Sequence, residues 1–120
     1  MPHLPTAPDP VVLAGFDLMI SAVPGVVRKG ATMPYVSVNG NMYAMINKAN
    51  VIGLRLDRDD LATFLQAYGE GPFEGVPGLI TKEYANVPRA LFDDVRSLHN
   101  WFRISHAYAL RLKPKPTKRD

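Results

Sequence analysis

Asn39-Gly40, set between Val36-Ser-Val38 and Asn41-Met-Tyr-Ala-Met-Ile46, constrains the fold of this chain more than any other pair of residues. A two-residue hairpin turn of type I′ needs positive φ at both central positions, which asparagine tolerates and glycine adopts freely. The pair predicts two antiparallel strands, and Val51-Ile-Gly-Leu-Arg-Leu56 predicts a third. Counting outward from the turn sets Val38 opposite Asn41, Ser37 opposite Met42 and Val36 opposite Tyr43. Val36 and Tyr43 then share one face, and Ser37 and Met42 the other. On the third strand Ile52, Leu54 and Leu56 share a face while Gly53 and Arg55 lie opposite, so one side of the sheet is expected to be more solvated.

Helical periodicity brackets these strands. Asp9-Pro10 reads as an N-cap followed by proline at the first helical position. Val12, Phe16, Met19, Ile20 and Val23 follow at helical spacing until Pro24-Gly25 stops the run. Asp57 or Asp59 caps a second helix with a Leu61, Phe64, Leu65, Tyr68 stripe, ended by Gly69. Residues 70–78, with three glycines and two prolines, read as a loop. A fourth strand over about Leu79–Tyr84 leads to Pro88 and a short helical turn through Phe92. Asp93 or Asp94 then caps a long helix running to about Leu112, with Pro114 and Pro116 beyond it.

Composition fits one globular domain: 120 residues, 47% hydrophobic and 21% charged. Residues 1–8 are expected to be a flexible arm, 9–112 the domain, and 113–120 a basic tail. The formal charge of +3 is unevenly spread: residues 103–120 carry +5 and the rest −2. The basicity is thus a feature of the C-terminal end, which weakens the inference to a nucleic-acid-binding face on the body. There is no cysteine, hence no thiolate chemistry. No apolar run approaches the roughly 20 residues that span a bilayer. The N-terminus has neither the basic start nor the apolar stretch of a leader, so the expectation is a cytoplasmic protein without membrane contact.

No motif here carries catalytic chemistry. Asp57-Arg-Asp59-Asp60 lacks the glycine and distal glutamate of a calcium loop and sits where acids favour a helix start. Gly69-Glu-Gly71-Pro-Phe-Glu-Gly75 follows a helix instead of a strand, and Pro72 removes an N–H that a phosphate would want. His99 and His106, seven apart on one helix, lie roughly 10 Å apart along its axis and cannot share a metal. Both are expected to be exposed or half-buried.

The last helix carries two adjoining apolar stripes. Leu91, Val95, Leu98, Phe102 and Ala109 form one, and Trp101, Ile104, Tyr108 and Leu112 the other. A central helix wrapped by the fold accounts for that width. The sharper reading makes Trp101, Ile104 and Tyr108 candidate interaction residues, a second copy of the chain being one candidate partner. Arg111, Lys113, Lys115, Lys118 and Arg119 are the candidate polyanion contacts; the plainer reading is a solvated end that complements the helix C-terminus.

Several segments, in order and spacing, resemble the N-terminal domain of the TfoX/Sxy competence-regulator family in its short, stand-alone form. They are Val38-Asn-Gly-Asn-Met-Tyr-Ala44, Gly53-Leu-Arg-Leu56, Gly71-Pro-Phe-Glu74 with Pro77-Gly78, Lys82-Glu-Tyr84 with Val87-Pro88, Trp101 with Ser105, Ala107, Tyr108 and Ala109, and Lys113-Pro-Lys-Pro116. Where the family usually carries a Met-Phe-Gly-like motif, this chain reads Thr32-Met33-Pro34. The resemblance implies an α+β domain with a mostly antiparallel sheet, no enzymatic activity and no cofactor. Longer relatives add a helical domain and regulate competence genes with a catabolite-activator protein; the expectation here is the short form without that domain.

The sequence thus leads to an α+β domain of order α-β-β-β-α-β-α. Its expected role is that of a non-enzymatic interaction or regulatory module working through protein contacts, with transcriptional regulation as a setting. The alternative is weak nucleic-acid or polyanion binding through the basic end.

Overall fold

A computed structural model describes residues 8–30, 32–69 and 71–115. The expected arm over 1–8, save Pro8, lies outside the described residues, as do Lys118 and Arg119 of the basic tail. The order is α1 (Pro10–Ile20), β1 (Tyr35–Val38), β2 (Asn41–Ile46), β3 (Ile52–Arg55), α2 (Arg58–Tyr68), β4 (Pro72–Val76), β5 (Leu79–Val87), a 3₁₀ turn (Arg89–Asp93) and α3 (Val95–Arg111). The strands form one antiparallel sheet in the order β1-β2-β3-β5-β4. The fold is α+β.

Local chemistry sets the element ends. The Asp9 carboxylate accepts from Val11 N at 2.8 Å, with Pro10 at the first position of α1. Asp57 accepts from Asp60 N at 3.0 Å, so it, not Asp59, caps α2. Asp94, not Asp93, caps α3 by accepting from Ser97 N at 3.3 Å. Each cap satisfies an N–H that the helix itself leaves free. Gly69 takes a left-handed φ of 65° and closes α2.

Asn39 (φ 52°) and Gly40 (φ 80°) form the expected turn. The register beyond it departs from simple counting: Val38 faces Asn41 and Ser37 faces Met42, but Val36 faces Ala44. Tyr43 is the extra residue of a β-bulge. The bulge keeps Val36, Tyr43 and Ala44 all on the helix side of the sheet, in the main core. There the Tyr43 ring packs on Phe102 at 5.5 Å between centroids.

Ile52, Leu54 and Leu56 are buried beneath the helices with Phe16, Met19, Leu98 and Phe102. Burying side chains of this size is worth roughly 1.5–3 kcal/mol each. The opposite face of the sheet is not the solvated surface that alternation predicts. The segment read as a loop over 70–78 contains β4, an edge strand paired with β5 whose Phe73 reaches over that face. The Phe73 ring occupies the space a Cβ on Gly53 would need, and a Cβ on Gly75 would lie 3.9 Å from Met45 Sδ. Met45, Phe73 and Tyr84 form a second buried cluster. Pro72 is compatible with this strand because it stands at its first position on a sheet edge, where the missing N–H breaks no ladder.

Candidate functional site

Trp101, Ile104 and Tyr108 all prove to be half-buried against the same chain. Trp101 meets Phe64 of α2 edge-on, 4.9 Å between centroids. The second apolar stripe of α3 therefore finds cover in α2 and β5. Tyr108 donates its hydroxyl hydrogen to Glu83 Oε2 at 2.7 Å. Val95, grouped by spacing with the first stripe, is exposed at the start of the helix.

Tyr108 belongs to a polar network at one end of the sheet. Arg55 reaches Glu83 Oε1 through Nε at 2.8 Å and Nη2 at 2.7 Å. Ser105 donates to the Arg55 carbonyl at 2.5 Å. Leu56 N donates to the Glu83 carbonyl at 2.8 Å. Glu83 has φ of 72°, a left-handed conformation that L side chains rarely adopt. Such strain, about 1–3 kcal/mol, persists where surrounding contacts over-determine it. Burial, and then the hydrogen bond and negative charge of Glu83, push the Tyr108 hydroxyl above its usual range. Both Glu83 oxygens are engaged, so the network acts as a pin between α3, β3 and β5.

The basic end is divided. Arg111 pairs with Asp57 Oδ2 at 3.3 Å and lies 5.5 Å over the Tyr108 ring. Lys113 and Lys115 are exposed and make no ion pair among the described residues. The backbone there is tied down: Lys115 N donates to Asn39 O at 2.8 Å, and Asn41 Nδ2 donates to Lys113 O at 3.1 Å.

The histidines are half-buried and separate. His99 Nε2 donates to the Leu18 carbonyl at 2.8 Å, while His106 Nδ1 meets the Tyr43 hydroxyl at 2.7 Å. Among the described residues no three histidine, aspartate or glutamate side chains are grouped to hold a metal, and no helix is long and apolar enough to cross a membrane.

Sequence reasoning missed the most exposed apolar surface. Val76, Leu79 and Ile80, at the tip of the β4–β5 hairpin, are 57%, 64% and 63% exposed. They adjoin a groove of about 510 Å³ between α2 and β5, lined by Leu61, Leu65, Pro72, Ile80 and Tyr84, with Lys82 on its rim. Leu65, placed by spacing in the buried stripe of α2, is exposed here. The available signal was the pair of apolar flanks around Pro77-Gly78, a two-residue turn with Gly78 at φ 83°. A smaller groove of about 410 Å³ runs along α1 beside Val11 and Phe92.

Compared with known proteins, the chain matches no family model, no curated protein and no solved structure.

Proposed function

We propose that the chain is a non-enzymatic interaction module, of the regulatory kind its resemblance to the TfoX/Sxy N-terminal domain implies, and that it docks a partner protein on the β4–β5 tip and the adjoining groove. The observation that carries this reading is the exposed hairpin tip of Val76, Leu79 and Ile80, with Ile80 lining the same groove as Leu65. Large apolar side chains exposed at one hairpin tip beside a groove mark an interaction site.

The occupant is an amphipathic helix carrying an acidic residue. Strand addition along β4 is disfavoured, because Pro72 and Pro77 flank it, Gly75 N is bonded to Thr81 Oγ1 at 3.0 Å, and the Glu74 carbonyl accepts from Asn47 Nδ2 at 2.8 Å. Side-chain docking into the groove remains. Of the two charged residues lining the groove, Glu83 is held by Arg55 and Tyr108, while Lys82 is exposed and without an ion pair among the described residues, which selects a negative charge on the partner.

The test is a photoreactive residue placed at Leu79 in the intact chain, with a second at Val27 on the opposite edge. Crosslinking to one protein from Leu79 alone supports the reading. Crosslinks of equal yield from both positions, or from Val27 only, overturn it.

A further inference from the structure

A separate hollow of about 450 Å³ lies beside β1, on the edge of the sheet farthest from β4. Its walls are Val23, Pro24, Val26 and Val27 from the segment between α1 and β1, together with Val38. Its polar lining comes from Lys29, Ser37 and His106, with no carboxylate among the described residues that line it.

Each polar group presents a donor. Tyr43 is fully buried, and burial pushes its hydroxyl up to about 12, so the proton stays on oxygen. The one partner of that hydroxyl among the described residues is His106 Nδ1. A buried hydroxyl must donate, so Nδ1 accepts and the ring proton resides on Nε2. This tautomer is assigned from the hydrogen-bond network. Nε2 itself makes no hydrogen bond among the described residues.

Ser37 contributes main-chain groups. Val38 and Asn41 flank the two-residue turn as the hydrogen-bonded pair, so the N–H and C=O of Ser37 point away from β2 toward the open edge. The flanking positions on that edge are filled: Tyr35 exchanges both bonds with Lys29, at 2.9 and 2.8 Å, and the Asn39 carbonyl takes Lys115 N. Among the described residues nothing pairs with the Ser37 N–H or C=O between them. A peptide strand cannot add along an edge open for a single residue, which leaves a small molecule.

Lys29 is exposed and makes no ion pair among the described residues. Asp17, paired with Arg28 at 2.8 Å, is not among the residues that line the hollow. Two N–H donors and an ammonium thus adjoin valine-rich walls.

We propose that this hollow binds a small aliphatic carboxylate. Its headgroup meets the His106 Nε2–H, the Ser37 N–H and the Lys29 ammonium, and its hydrocarbon body lies against Val23, Val26 and Val38. The carboxylate accepts from all three donors, as charge-assisted bonds require, and the valines provide the apolar lining common to small-molecule sites.

The experiment uses isotope-labelled intact protein titrated with isovalerate, with inorganic phosphate and the neutral isovaleramide as parallel arms. The readouts are the Ser37 and Val38 amides and the His106 ring nitrogens. Saturable shifts at Ser37 and at His106 Nε2 are expected with isovalerate, and binding of phosphate and amide about tenfold weaker or more. Lys29→Gln, at an exposed position that leaves the core intact, should weaken isovalerate about tenfold. His106→Phe should abolish the shift at Ser37. Because that variant strands the Tyr43 hydroxyl, Lys29→Gln keeps the test decisive if it fails to fold. Absence of shifts at Ser37, equal affinity for acid and amide, equal affinity for phosphate, or an unchanged affinity in Lys29→Gln overturns the proposal.

Discussion

Tyr108 donates its hydroxyl hydrogen to Glu83 Oε2 at 2.7 Å, and Glu83 holds that position from a left-handed backbone, φ 72°. The bond, with the two that Arg55 makes to the same carboxylate, fixes the last helix to β3 and β5. Tyr108→Phe removes one bond to a charged, partly exposed acceptor and should lower stability by about 1 kcal/mol in urea denaturation. Glu83→Gly relaxes the backbone yet removes the acceptor of all three bonds. It should still destabilise, and a stabilised Glu83→Gly would show that strain outweighs the pin.

Gly40→Val carries two penalties. The residue would sit at φ 80°, and its Cβ would collide with the Lys115 carbonyl. A loss of about 1–3 kcal/mol is expected, together with faster hydrogen exchange at the Lys115 amide as its bond to Asn39 opens. An unchanged denaturation midpoint would contradict the turn and the docking of the tail upon it.

Local features of the fold were legible in the sequence because their causes are local. Asn39-Gly40 carries its turn in two residues, and Asp9, Asp57 and Asp94 cap helices that begin beside them. Features set by distant contacts were not. The bulge at Tyr43 depends on Phe102 and His106, more than fifty residues away in sequence, and counting from the turn cannot find it. β4 was hidden because proline and glycine signal a loop until a Phe73 meets a Gly53. Periodicity shows how wide the apolar arc of α3 is but not what covers it: Phe64 lies against Trp101, and Glu83 takes the Tyr108 hydroxyl. The exposed tip followed from the same omission, since Val76 and Leu79 form a patch only once β4 and β5 are paired.

Burial holds His106 below its ordinary pKa of 6.5. The unfolded chain therefore binds more protons than the folded one between that lowered value and 6.5. The stabilising contribution is complete above about pH 6.5 and is lost as pH falls through the folded value. Urea midpoints measured from pH 8 down to pH 5 should decline in this window. His106→Gln retains an acceptor for Tyr43 without titrating, and its profile should be flatter there. Identical profiles would remove His106 as the cause.

For polyanion binding, five phosphate contacts through the basic end would give a log–log salt slope of roughly −4.5. Arg111 is engaged by Asp57. With Arg111 kept there, the slope on duplex DNA should not be steeper than about −3.6. A chain ending at Leu112 should bind more weakly than the intact one, and equal affinity would place any binding on the folded body.

Docking on the β4–β5 tip is decided by two surface variants measured side by side. Ile80 is 63% exposed and Val11 57%, so lysine at either position should leave the denaturation midpoint nearly unchanged. Binding of the crosslinked partner is then measured with each purified variant. Ile80→Lys is expected to lose the partner and Val11→Lys to retain it. Retention by Ile80→Lys, or loss with Val11→Lys alone, would rule out docking on the tip, the second moving the interaction surface to α1.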